Sequence, residues 1–270
     1  MATKHLKLTD GTLAYDDAGA GPLAVCLPGL GDLRAEYRFL APQLVAAGFR
    51  AVTLDMRGHG ESSVGWRDYS LAAVGADLLS LVRRLDAGPA ILIGTSFGAG
   101  AAVWAAAEAP ELVAGLVLLG PAVRDGGPKW VERIIYSAMF ADPWGVAMWA
   151  WYFPKLFPSR KPADFDAYLA ALRANLSAPG RLAAMRGLIN ASKQASAERL
   201  GRVKAPALVV MGTRDPDFKD PAAEARLVAG PLRGEIEMVA GAGHYPHVEM
   251  PEITGPRVVT FLQALGVRAA

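Results

Sequence analysis

Three short segments carry residue types that together could run nucleophilic acyl chemistry: Gly94-Thr95-Ser96-Phe97-Gly98, Gly212-Thr213-Arg214-Asp215-Pro216-Asp217 and Gly241-Ala242-Gly243-His244-Tyr245-Pro246-His247. A serine hydroxyl is a weak nucleophile until an imidazole takes its proton. The imidazole in turn needs a carboxylate to fix its tautomer and steady the charge it acquires. Ser96, with a glycine two residues to either side, fits G-x-S-x-G, the spacing in which a strand turns sharply into a helix and exposes the hydroxyl. Glycine suits both flanking places because a Cβ there would strike nearby backbone. A serine at a helix start could also simply cap the helix.

The imidazole is chosen from four histidines, His5, His59, His244 and His247. His5 falls in an N-terminal strand pattern, and His59, in Arg57-Gly58-His59-Gly60, reads as a turn residue making structural hydrogen bonds. His244 follows the last apolar run, at 235–239, which places it at the C-terminal end of a strand, where open parallel sheets gather their ligand and catalytic groups. His247 is its competitor. Asp215 follows the run 207–211 in the same way and is the expected acid. Asp217 is its rival, and an Asx-turn before Pro216 is the plain structural alternative.

These segments need a scaffold that brings them to one rim. Runs at 5–8 and 12–16 flank Asp10-Gly11, a two-residue hairpin signal. Runs at 23–27, 51–54, 90–93 and 116–119 are apolar throughout, as strands buried on both faces must be, and the pattern resumes at 207–211 and 235–239. Between them Tyr37, Leu40, Leu44 and Val45 recur at helical spacing, as do Leu71, Val74, Leu78, Leu81 and Leu85 behind a Ser70 cap. A helix is expected from Ser96 to about Ala109, another at 221–228, and a last one carrying Val258, Phe261, Leu262 and Leu265, its start broken or delayed by Gly255 and Pro256. From about 123 to 200 no strand pattern occurs and helical periods dominate. The reading is one α/β domain, 1–122 and 201–270, with a helical insertion at 123–200.

The order Ser, Asp, His, each after its own strand, resembles the α/β-hydrolase superfamily, and the likeness covers nearly the whole chain. Leu27-Pro28-Gly29-Leu30-Gly31 resembles that family's His-Gly-x-x-Gly oxyanion loop, with Pro28 replacing the usual histidine. Asp55-Met56-Arg57-Gly58-His59-Gly60-Glu61-Ser62 is similar to its Asp-x-Arg-Gly-x-Gly-x-Ser segment. The resemblance implies a mostly parallel eight-stranded sheet with a helical cap after strand 6. It also implies an oxyanion hole built from the backbone N–H groups of Leu30 and Phe97, and no metal or organic cofactor. A serine nucleophile disfavours the epoxide-hydrolase and dehalogenase activities of relatives that use aspartate there.

Trp130, Trp144, Trp149, Trp151, Tyr152 and Phe153 concentrate in the first half of the insertion, and Tyr245 adjoins the expected catalytic histidine. Aromatic groups there suit an apolar pocket, or alternatively the insertion's own core. The expected reaction is hydrolysis of a small, uncharged, apolar ester, thioester or lactone through an acyl-serine. Activity should climb through roughly pH 6 to 7 as an unperturbed histidine loses its proton. The same residues could serve carbon–carbon bond hydrolysis, a lyase, a cofactor-free cyclisation or isomerisation, or a non-catalytic receptor.

Composition bounds the rest. The 270 residues are 52% hydrophobic and 20% charged with a net charge of +2, enough apolar surface for a core and no basic stripe for nucleic acid. A single cysteine, Cys26, and an N-terminus without an apolar signal region point to the cytoplasm. The most apolar stretch, 145–153, is far short of the roughly 20 residues that span a bilayer, and a monomer or homodimer is expected. Gly29-Leu30-Gly31 ahead of Asp55 mimics a dinucleotide fingerprint, but Arg34 stands where the third glycine belongs.

Overall fold

The apolar runs form strands covered on both faces. The computed structural model describes residues 3–268. Its eight strands are β1 (Lys4–Leu8), β2 (Gly11–Ala18), β3 (Leu23–Leu27), β4 (Arg50–Leu54), β5 (Ala90–Thr95), β6 (Val113–Leu119), β7 (Ala207–Gly212) and β8 (Glu235–Val239). They lie side by side in the order β1-β2-β4-β3-β5-β6-β7-β8. β2 runs antiparallel to both β1 and β4, and every other pairing is parallel. All residues of β3, β5 and β7 are buried.

Alternate residues feed two cores. Val25, Leu27 and Leu92 face one layer, with helices α2 (Leu71–Leu85) and α3 (Phe97–Glu108) and the later α9 (Pro221–Leu232) packed on it. Cys26, Ile91 and Ile93 face the other, under α1 (Leu40–Ala46) and α11 (Pro251–Ala264). Ser70 caps α2 as its sequence predicts, its hydroxyl accepting from the Ala73 N–H at 3.1 Å.

Two expectations shift. In the hairpin Leu8 pairs with Gly11, so Thr9 and Asp10 make the turn and Gly11 opens β2. Gly11 is small because a Cβ would lie 2.6 Å from both Ser63 Oγ and the Trp66 ring. In α11 neither Gly255 nor Pro256 breaks the helix. Pro256 forfeits one backbone hydrogen bond, while buried Thr254, Val258, Phe261 and Leu262 hold the helix to the sheet, and Gly255 is where Gln43 closes in.

Between β6 and β7 run α4 (Lys129–Met139), α5 (Gly145–Tyr152), α6 (Phe165–Ser177), α7 (Arg181–Ile189) and α8 (Gln194–Ala197). Phe153, Phe157, Phe165, Tyr168, Leu172 and Met185 form a cluster that also takes in Tyr245 and Val248, beyond β8. The helical segment therefore shares its core with the loop that carries His244. No helix among the described residues is long and apolar enough to cross a membrane. After β8 comes a single turn, α10 (Pro246–Glu249), leading into α11.

Candidate active site

Ser96 sits between β5 and α3 with φ 53° and ψ −117°, a conformation that costs a non-glycine residue on the order of 1–3 kcal/mol. The surrounding packing leaves no alternative. A Cβ on Gly94 would lie 2.5 Å from the Gly98 carbonyl oxygen, and one on Gly98 would lie 2.5 Å from that of Pro28. The turn is tied to β6 by the Ser96 N–H donating to Leu119 O at 2.9 Å. The Ser96 side chain makes no capping bond to α3, so the capping role does not apply. Ser96 Oγ is left to the cavity that Ser96 lines together with Leu30, Phe97 and His244.

The cavity has a volume of about 740 Å³ and lies between the sheet's rim and the helical segment. Leu30 and Phe97 both line it. Phe97 is the first residue of α3, so its N–H has no intrahelical acceptor. Leu30 stands between two amides already engaged. The Gly29 N–H donates to Glu36 Oε2 at 2.8 Å and the Gly31 N–H to His59 Nε2 at 3.2 Å. The loop is thereby pinned on both sides of Leu30. His59 is indeed a structural histidine, buried and pushed down to about 4 by loss of solvent, so it is a neutral acceptor. Glu36 supplies an anchor from behind, accepting the Gly29 N–H.

His244 is buried, its N–H donating to Leu156 O of the helical segment at 3.0 Å. Its Nδ1 is 2.8 Å from Asp215 Oδ2, and its Nε2 is 3.6 Å from Asp217 Oδ2. The two acids that compete in sequence thus divide the ring between them, one at each nitrogen. Asp215 is buried and also accepts from the Asp217 N–H at 3.0 Å, whereas Asp217 is a third exposed, lines the cavity and accepts a hydrogen bond from Tyr152 Oη. Burial opposes charge on the ring, but Asp215 and Asp217 outweigh it and lift His244 to about 9. Asp215, Asp217 and His244 are also the one group among the described residues with donor atoms close enough for a metal. Asp215 already holds Nδ1, so only Nε2 and Asp217 face a common point.

His247 does not reach the cavity. It is buried on the far side of the loop, with Nε2 2.9 Å from Glu36 Oε1 but out of line for a hydrogen bond, and burial drives it down to about 3. Around it lie Asp32 and Glu36, raised by burial to about 8 and about 7. Asp32 accepts from Tyr168 Oη.

Of the aromatic residues singled out in sequence, Trp149, Tyr152 and Tyr245 line the cavity. Trp130 and Trp144 do not: they are 69% and 52% exposed, on outer faces of the helical segment, and Trp151 is similarly placed at 60%. Phe153 is wholly buried among Phe165, Tyr168 and Tyr245, inside the segment's own core. The roles of Glu36 and Asp32 are absent from the sequence reading. Glu36 had a signal, since it precedes Leu40 by four residues and Leu44 by eight and so shares their buried stripe.

Residues 24–254 match the model of the alpha/beta hydrolase family. The chain is 29% identical to the 2-(acetamidomethylene)succinate hydrolase of Mesorhizobium japonicum, over 94% of this chain and 92% of that protein. It is 30% identical to the 2-hydroxy-6-oxononadienedioate/2-hydroxy-6-oxononatrienedioate hydrolase of Paraburkholderia xenovorans, over 96% and 95%. Among solved structures, a thermophilic esterase from Thermogutta terrifontis is similar with a TM-score of 0.82 and 25% identity, covering 99% of this chain and all of that one.

Proposed function

Because the chain belongs to the alpha/beta hydrolase family, we propose that it hydrolyses small carboxylic esters, thioesters or lactones through an acyl intermediate on Ser96. The observation that carries this reading is the 2.8 Å contact of Asp215 with His244 Nδ1, on a ring whose cavity wall is shared with Ser96. Neutral His244 takes the Ser96 proton at Nε2 as Oγ bonds to the carbonyl carbon. The oxygen of that carbonyl gains its charge between the N–H groups of Leu30 and Phe97, donors already held in place. The bond to the leaving oxygen or sulfur then breaks and His244 returns the proton to it. Water attacks the acyl-serine by the same route, restoring Ser96.

The helical segment closes the cavity as a cap, and its aromatic wall of Tyr136, Phe140, Trp149 and Tyr152 supports an apolar acyl group. The chemistry on these residues calls on no metal or organic cofactor. The relatives named as acting on a succinate and a dienedioate take dicarboxylates, and 30% likeness supports a second reading in which this chain cleaves such an unsaturated acid. Of the three cations that line the cavity, Arg124, Lys193 and Lys219, two already face carboxylates, which weighs against it. Arg124 is bound in two-pronged fashion to Glu224, and Lys193 faces Asp125 at 3.9 Å.

The test is fluorophosphonate labelling with peptide mapping, followed by p-nitrophenyl esters of increasing acyl length. Labelling at Ser96 and a fall of about 10⁴-fold or more in kcat for Ser96→Ala are expected. Near-normal turnover by that variant would end the proposal. Turnover of a dienedioate but of no ester would favour the second reading.

A further inference from the structure

Asp217 has no place in the acyl-transfer scheme above. That scheme uses His244 Nδ1 for orientation and Nε2 for proton transfer, and Asp217 stands 3.6 Å from Nε2, on the cavity side, where the leaving oxygen must come to collect its proton. A carboxylate held there sits beside whatever the leaving group carries next to that oxygen. Tyr152, reaching down from α5, bonds to it and fixes it across the cavity. Aromatic rings flank the two groups that Asp217 meets: Phe218 lies 6.4 Å and Tyr245 5.2 Å from the His244 ring, and Trp149 lies 6.2 Å from Tyr152. All four aromatic residues line the cavity.

Resting on the ester-hydrolase reading, we infer that this enzyme selects esters whose alcohol bears an ammonium group about two carbons from the ester oxygen, seated against Asp217 and the rings of Tyr152, Phe218 and Trp149. Aromatic faces and a partly exposed carboxylate are the combination that recognises quaternary and protonated amines, since the ring quadrupole and the anion attract the same charge and neither demands a specific hydrogen-bond geometry. The acidic balance of the cavity agrees. Arg124 is occupied by Glu224 and Lys193 faces Asp125. Lys219 also lines the cavity, exposed between Asp217 and Asp220, and the cavity's carboxylates Asp125, Glu132, Asp217, Asp220 and Glu224 outnumber its three cations. A leaving group carrying a carboxylate would be repelled by Asp217 beside the ring nitrogen. A bound ammonium also takes over the attraction that otherwise holds the proton on His244, and so favours the neutral base that catalysis needs.

Three butyrate esters of near-equal size separate the possibilities: choline butyrate, its uncharged isostere 3,3-dimethylbutyl butyrate, and the anionic 4-butyryloxybutanoate. The expected order of kcat/KM is ammonium, neutral, carboxylate, with the first exceeding the second by at least about tenfold. In Asp217→Asn the ammonium-to-neutral ratio should fall at least about threefold, whatever happens to the absolute rates, the remainder being the rings' share, and tetramethylammonium should inhibit more weakly. Turnover of the neutral ester equal to or better than that of choline butyrate, or a ratio unchanged in Asp217→Asn, overturns this inference and leaves the hydrolase reading intact. No turnover of any ester overturns both.

Discussion

The two faces of the His244 loop hold nearly the same set of groups and treat them in opposite ways. On the cavity face, an imidazole between two aspartates is lifted to about 9. On the hidden face, three residues further on, His247 sits near Asp32 and Glu36 and is driven down to about 3, while the acids rise to about 8 and about 7. Proximity of a carboxylate alone does not charge a histidine. Asp215 bonds to the ring at Nδ1 and Asp217 faces Nε2, and their attraction outweighs the cost of burying a charged His244. Glu36 and Asp32 have too little solvation to ionise readily, so their neighbour gains little from them. In the proposed mechanism one face moves a proton, while the other holds a loop in place.

The comparison breaks most sharply on the histidines. His244→Ala should lower kcat by about 10⁴-fold or more. His247→Phe, a substitution that keeps the ring packed between Tyr37 and Tyr245, should change kcat by less than about tenfold, its cost appearing in the thermal midpoint. Steady-state kinetics and melting curves on both variants decide, and the reverse ranking would exchange the roles of the two faces.

The next largest effect is on the pH profile. His244 must be neutral to accept a proton, and its folded value is raised, so kcat/KM for a neutral ester should rise with pH through about 9, not through 6 to 7 as an unperturbed histidine would give. Replacing Asp217 with Asn removes one of the charges responsible and should move that limb to lower pH. A limb that stays at the wild-type position in the variant would show that Asp217 does not act on the ring.

The smallest effect sharpens the hidden face. Glu36→Gln keeps an acceptor for the Gly29 N–H, whereas Glu36→Leu leaves that buried donor unpaired at about 1–3 kcal/mol and frees the loop carrying Leu30. The Leu variant should therefore lose kcat more than it raises KM. Glu36 is raised from 4.5 to about 7 in the folded chain, so the stability its protonated form contributes is complete below about 4.5 and is lost as pH rises through 7. Denaturant titrations should show the Gln variant gaining on the wild type across that window and level outside it.

The sheet was legible because parallel strands buried on both faces have an unbroken apolar signature, and the elbow was legible because close backbone approach admits only glycine at 94 and 98. Ser96 and the contact between His244 and Asp215 follow from strand order, which is local information repeated three times. What stayed hidden depends on contacts between segments distant in the chain. Nothing near Asp217 in sequence announces that Tyr152 will meet it, nor that it will face the other ring nitrogen. Trp130 and Trp144 read as pocket aromatics because composition does not say which side of a helix faces inward. The shift at His244 needs distances, which no spacing rule provides.

The amide of His244 donates to Leu156 O, a Cβ on Gly243 would lie 2.2 Å from that same oxygen, and Glu249 accepts the N–H groups of Ser159 and Arg160. The stretch 156–160 is thus structurally part of the histidine turn, although it lies among the helices between β6 and β7. A chimera that exchanges residues 123–200 for those of another enzyme keeps that acceptor only where the new backbone follows the same path against Gly243 and His244. A graft that alters substrate range without disabling turnover should splice upstream of residue 156 and leave the remainder native.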